Sequence, residues 1–322
     1  MSMLPVQLAH ELEPAAATNR WLVEGLWAEA GVGIVGGEPK CCKSFLALDL
    51  AVAVASGAAC LRRFAVARPG PVLLYAAEDA LHVVRERLQG IAEISGTDLR
   101  RLPIHVITAA SVRLDVERDR ASLHETVAAI RPRLLVLDPF VRLHRIDENV
   151  AGDVAPLLAN LRTLQRELDT SVLLVHHSRK GGHARAGQAL RGSSELHAWG
   201  DSNLYLRRDR DKLWLSIEHR AAASVPALAL TLATHGSAVA LHVVDSPSTI
   251  ASDVVERTRT PADRVIDALA ATDAPLGRRA LRDACRMRSA AIGPVLVDLL
   301  ATGRVVQHES GYVLASSAAA SR

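Results

Sequence analysis

The chain has 322 residues, 49% of them apolar, and a formal net charge of +3 at pH 7. That length suits one large and one small domain around a packed core; no apolar run reaches the roughly 20 residues of a membrane span, and so small a net charge does not by itself indicate a nucleic-acid partner. The four cysteines, Cys41, Cys42, Cys60 and Cys285, show neither C-x-x-C pairing nor metal-ligand spacing, which excludes a disulfide or zinc framework and implies free thiols in a reducing compartment.

Residues 1–20 carry no basic-then-apolar leader pattern and are read as an N-terminal arm, with the cytoplasm as the expected location. Residues 21–246 then alternate short apolar runs with helical patterns. GVGIV (31–35) predicts a buried strand, and KSFLALDLAVAVASG (43–57) a helix ending at glycine. Between them, Gly37, Glu38, Pro39, Lys40, Cys41, Cys42, Lys43, Ser44 and Phe45 approximate the phosphate-binding pattern G-x-x-x-x-G-K-[ST], with cysteine in place of the second glycine. In such a loop consecutive N–H groups wrap phosphates at a helix N-terminus; Lys43 would reach the β- and γ-phosphates, and Ser44 would ligate Mg²⁺. Cys42 would be strained at positive φ and comfortable in the right-handed helical region; the second is expected, because it lies at the first turn of the helix.

PVLLYAAED (71–79) is the next expected strand, and Glu78 at its end is a candidate general base for an attacking water. Asp79 is expected to cap the helix that follows, on which Arg87 pairs with a nearby carboxylate. Further strands are expected at 104–108, 133–139 and 171–177, with helices over 122–130 and 153–168. Asp138 closes RLLVLD, the position where a carboxylate holds Mg²⁺ and its water. His177 closes SVLLVHH and would hydrogen-bond the γ-phosphate. Its neighbour His176 points to the opposite face and reads as a core histidine rather than a metal ligand. After Asp138, Arg142, His144 and Arg145 are candidates for a nucleic-acid channel, with Asp147 and Glu148 as local ion-pair partners. SRKGGHARAGQALRGSSELHAWG (178–200) is basic and glycine-rich; Lys180, Arg185 and Arg191 are its candidate phosphate-backbone contacts.

Nearly continuous apolar strands alternating with helices imply an α/β fold with a mostly parallel sheet. Four successive runs between residues 202 and 244 predict antiparallel strands extending it. Residues 247–261 read as a linker, 262–316 as a small domain of three helices and a strand pair in winged-helix order, and 317–322 as a disordered tail. Arg278, Arg279, Arg282, Arg286 and Arg288 favour DNA over protein contact there.

WLVEGLWAEAGVGIVGGEPKCCKSFLALDLA, LLYAAED, LLVLDPFVRLHRIDEN, VLLVHHSRKGG and LRGSSELHAWGDSNLYLRR together resemble the RecA-fold ATPases typified by RepA, the plasmid hexameric replicative helicases. The resemblance spans roughly residues 20–225. It implies ATP and Mg²⁺ as cofactors, a homo-oligomer, hexameric by that likeness, and single-stranded DNA as partner. It assigns Gly37, Lys43 and Ser44 to the phosphate loop, Glu78 to the catalytic glutamate, Asp138 to Walker B and His177 to the γ-phosphate sensor. IEHRAA (217–222) lies where related ring helicases carry a Lys-x-Arg pair that reaches a neighbour's ATP. Arg220 matches that arginine, and Glu218 stands in place of the lysine. The expected function is ATP hydrolysis coupled to DNA translocation or unwinding. The alternatives are a DNA-dependent ATPase regulator that does not unwind and a nucleotide-gated binding module with weak hydrolysis.

Overall fold

The computed structural model describes residues 6–11, 20–177, 194–209, 212–222, 225–244, 261–272, 274–285, 289–308 and 310–315. The chain divides into two units, Met1–Asp245 and Ser246–Arg322. The first opens with a small antiparallel pair, β1 (Trp21–Val23) and β2 (Trp27–Ala28), too short to register as a periodic pattern. Then follow β3 (Val32–Gly37), α1 (Lys43–Ser56), β4 (Val72–Ala76), α2 (Leu81–Ile94), β5 (Ile104–Val106), α3 (Glu117–Ile130), β6 (Leu134–Asp138), α4 (Ala151–Leu168), β7 (Ser171–His177) and α5 (Ser194–Trp199). Strands β8 (Ser202–Asp209), β9 (Lys212–His219), β10 (Leu228–His235) and β11 (Ala238–Val243) complete the unit.

One nine-stranded sheet runs β11-β10-β9-β8-β3-β7-β6-β4-β5. Pairings among β3 to β7 are parallel, as is β3 with β8, whereas β8 through β11 pair antiparallel. This is a RecA-like α/β arrangement, with the expected antiparallel extension on one side. Both faces of the central strands are buried. Val35, Leu74, Val136 and Val175 pack against α1 and α2, while Ile34, Leu73, Leu135 and Leu174 pack against α3, α4 and α5. Burying one such side chain contributes about 1.5–3 kcal/mol, which is why these strands read as continuous apolar runs.

The helix that leaves the phosphate loop is pinned separately. Asp49 of α1 is buried and accepts from the Leu61 N–H at 2.7 Å and from Arg62, whose guanidinium also donates to the Leu241 carbonyl at 2.9 Å. A buried carboxylate is tolerated when it is paired in this way. Two helices start earlier than their apolar periodicity suggested. In α3, Glu117 and Asp119 favour the N-terminal turn ahead of the first apolar residue, and Asp119 also accepts from the Arg113 N–H at 2.8 Å. α4 starts at Ala151. No helix among the described residues is long and apolar enough to cross a membrane.

The second unit contains helices Pro261–Ala270, Arg278–Ala284 and Ser289–Ala301 and an antiparallel pair, Val305–His308 with Gly311–Leu314. Val265, Leu269, Leu281, Ile292, Leu296, Leu299 and Val305 form its core. Residues 245–260, where most of the linker was expected, and 316–322, which hold the expected tail, lie outside the described residues.

Candidate active site

The sheet order brings the carboxyl ends of β3, β7, β6 and β4 side by side. Each delivers a polar group to one crevice, the usual place for a ligand in an open α/β sheet. The crevice is a cavity of about 250 Å³ lined by residues 40–45 with Glu78, Arg87, Asp138 and His177.

Gly37 ends β3 at φ 157, and a Cβ there would stand 2.3 Å from the Leu206 carbonyl oxygen of β8. Only glycine lets the two strands approach so closely. The loop then turns into α1. Lys43 is buried, and its Nζ donates to the Glu38 carbonyl at 2.8 Å, across the mouth of its own loop. Burial pushes its pKa down, against the opposing pull of Cys41, Asp138 and Glu78. An anion in the loop would supply the charge that this ammonium lacks.

Cys42 departs from expectation. It is the N-cap of α1 at φ 61 and ψ 26, in the left-handed region, rather than a right-handed residue of the first turn. The helix itself begins at Lys43, as expected; it is the residue just before it that is left-handed. Lys40 also has positive φ, at 65°. Each such non-glycine residue costs about 1–2 kcal/mol. The Cys42 thiol is half-buried, and burial raises its pKa; its Sγ is 3.9 Å from the Arg208 guanidinium, which also reaches the Lys40 carbonyl at 3.5 Å.

Ser44 hydrogen-bonds Asp138 at the end of β6. Enclosure by surrounding atoms pushes the Asp138 pKa up to about 6, with Asp79 and Glu78 adding repulsion and Ser44 and Lys43 opposing it. A hydroxyl and a carboxylate are hard oxygen donors, the set that suits Mg²⁺ completed by phosphate oxygens and water. No cage of three or more His, Cys, Asp or Glu residues fit to hold a metal occurs among the described residues. Two protein oxygens leave most of the coordination to other ligands, so the group that fits is a cation carried by a polyphosphate.

Glu78, two residues beyond β4, accepts from Arg142 Nε at 2.9 Å, and its other oxygen lies 4.0 Å from His177 Nε2. Burial first, and then the Lys43 charge, lowers the His177 pKa, which keeps the imidazole neutral at neutral pH. His176 faces the opposite side and is buried, its Nδ1 3.9 Å from Glu148. Glu148 is also 3.3 Å from His144, whereas Asp147 accepts from Asn149. Glu148 thus makes the local ion pair expected of it, with His144, whereas Arg142 pairs with Glu78. Asp79 does not cap α2 either. The cap is Ala80, with no side-chain bond, and Asp79 pairs with Arg87 at 2.5 Å.

Arg220 does not line this cavity. It donates to the Ala198 and Trp199 carbonyls and lies 3.5 Å from Asp201. Glu218 lies 3.8 Å from His197, whose other nitrogen is 2.6 Å from the Tyr205 hydroxyl. Lys180, Arg185 and Arg191 fall outside the described residues. Sequence reasoning missed Arg208 beside the loop and Arg87 in the cavity wall, where Arg87 lies 5.1 Å over the Phe45 ring. Arg208 gave no local signal because it reaches the loop only through the pairing of β8 with β3.

Fold and site together define a P-loop ATPase domain of RecA type. The chain belongs to the AAA domain family, which matches residues 2–183. Among solved structures it is similar to an ATPase domain, at 14% identity and TM-score 0.53, covering 66% of this chain and 86% of that one. A DnaB-like replicative helicase, solved to show its interactions with primase, matches at 13% identity and TM-score 0.51, over 66% of this chain and 57% of that one. RadB recombinase matches at 18% identity and TM-score 0.50, over 67% and 92%. The RecA-like fold expected from the motifs is thus found again among solved structures.

Proposed function

We propose that the chain is a Mg²⁺-dependent ATPase that works as a homo-oligomer, a hexameric ring by its likeness to RepA, on single-stranded DNA. The observation that carries the ATPase reading is the convergence of Lys43, Ser44, Asp138, Glu78 and His177 from four adjacent strand ends on one cavity. Lys43 and the loop N–H groups hold the β- and γ-phosphates, while Ser44 and Asp138 hold the cation, which neutralises phosphate charge. Glu78 takes a proton from a water as that water attacks the γ-phosphorus and the bond to the β-phosphate oxygen breaks. Neutral His177, beside Glu78, donates to the γ-phosphate and registers its loss. Arg220, turned from its own cavity, serves the adjacent subunit's transition state.

Coupling to translocation or unwinding, in plasmid or mobile-element replication and in the cytoplasm, is the use this reading favours. Arg142 and the basic residues Lys180, Arg185 and Arg191 would track the DNA backbone. Residues 262–316 would form a winged helix, whose exposed Arg278 and Arg279 suit phosphate contact. The left-handed Cys42 favours a second reading, a slow, nucleotide-gated module.

Nucleotide affinity and turnover, measured on two variants, test the assignment. Glu78→Gln should bind ATP normally and lose turnover by about 10²- to 10⁴-fold. Lys43→Ala should lose affinity itself. Unchanged affinity in the lysine variant sinks the phosphate-loop assignment, and parallel loss of affinity and turnover in the glutamate variant makes Glu78 structural.

A further inference from the structure

The loop between β6 and α4 places an exposed arginine on the carboxylate assigned to align water. Arg142 Nε donates to Glu78 Oε1 at 2.9 Å, with the Arg142 side chain 62% exposed and that of Glu78 42%. The loop backbone is fixed on both sides of this arginine. Phe140 and Leu143 are fully buried, and the Leu143 carbonyl accepts from the Leu114 N–H at 2.6 Å. His144 is buried beside Glu148, which also faces His176 on β7. The part able to leave is therefore the Arg142 guanidinium and not the loop.

We propose that Arg142 is a latch on Glu78, closed in the nucleic-acid-free chain and opened when a single-stranded nucleic-acid backbone takes the guanidinium. This rests on the ATPase reading above and adds its control. A carboxylate that accepts from a guanidinium has a lone pair engaged and its oxygen held to that partner, so it is less free to accept a proton from water. An exposed ion pair is weakly held. A phosphodiester oxygen offers the guanidinium the same charge and fork geometry, and a polymer offers many in succession. Arg145, exposed on the same loop, provides a second cation three residues on. The sequence that follows His177, residues 178–193, holds Arg179, Lys180, Arg185 and Arg191 and no acidic residue. A run of that composition carries positive charge alone, which favours a polyanion as the key.

Phosphate release from ATP by the full chain, with and without oligo(dT), tests the latch. Arg142→Ala should raise the basal kcat by about three- to fivefold, the most that an exposed ion pair can withhold. KM for ATP should stay unchanged, and stimulation by oligo(dT) should disappear. Arg142→Lys, which keeps the charge, should hold the basal rate low. The coupling is reciprocal, so in the absence of nucleotide Glu78→Gln should tighten oligo(dT) binding and Arg142→Ala should weaken it. That second measurement is independent of turnover and separates failure of the latch from failure of the ATPase reading. A basal rate unchanged or lowered in Arg142→Ala, with stimulation retained, overturns the latch. So does oligo(dT) affinity indifferent to both substitutions. A raised basal rate in Arg142→Ala, with no response of the unsubstituted chain to oligo(dT), overturns nucleic acid as the key.

Discussion

Cys42 holds a backbone angle that glycine adopts freely and cysteine does not. Relief of that strain should make Cys42→Gly more stable by about 1 kcal/mol and tighten nucleotide binding, since the loop N–H groups would be preset at lower cost. Melting temperature and ATP affinity of this one variant check it; a loss of stability would mean that the thiol packing beside Arg208 outweighs the backbone strain. Asp138 supplies a pH dependence. Its folded pKa, about 6, lies above the ordinary carboxylate value of 3.8, so in the metal-free chain its contribution to stability is complete below 3.8 and is lost as pH rises through 6. Cation binding runs the other way, because Mg²⁺ must displace the proton. Below pH 6, Mg²⁺-dependent ATP affinity should fall by up to about tenfold per pH unit. Binding measured in a chelator should lack that step, and Asp138→Asn should abolish it. At this scale the motif letters were legible in the sequence, but the angle at position 42 was not. A residue's φ depends on where the chain must go next, so the helix start at Lys43 could be read while the left-handed turn just before it could not.

Strand β3 shows what an element must do to carry a loop. It is buried on both faces and flanked by β7 and β8, so its end is fixed before the loop begins. Gly37→Ala would drive a Cβ into the Leu206 carbonyl. The variant should lose about 1–3 kcal/mol, and nucleotide affinity should fall with it, because β3 and β8 must part where the loop is hung. Denaturation midpoint and ATP binding measured together check this; lost affinity with unchanged stability would place the effect in the loop alone. The strands were readable because burial on both faces leaves continuous apolar runs. The starts of α3 and α4 were not, because their first turns are polar and are set by charge at the helix end or by the chain's approach. The β1–β2 pair escaped notice because its strands are too short to show a period.

The molecule-scale claim is assembly. Arg220 is engaged with carbonyls and Asp201 of its own chain and is absent from its own cavity. If it serves a neighbour, its loss and the loss of Glu78 affect different halves of each interface. A mixture of Arg220→Ala and Glu78→Gln proteins should then recover ATPase activity at interfaces that unite an intact site with an intact arginine. Activity that never exceeds the sum of the separate variants, with subunit exchange verified, removes the trans assignment.

Local chemistry sufficed for part of this protein. A strand, a glycine turn, Lys43-Ser44 and a helix follow one another along the chain, and Asp138, Glu78 and His177 each close an apolar run, so the phosphate-loop class was written in residue order. Tertiary structure decided the rest. The sheet order places β4, β6 and β7 beyond β3 so that their ends share one cavity, and the pairing of β8 with β3 brings Arg208 of β8 to the loop. The pairing of Arg142 with Glu78 joins residues 64 positions apart. Sequence spacing carries no information about such contacts, because they follow from which strands lie side by side, a choice made by burial over the whole core.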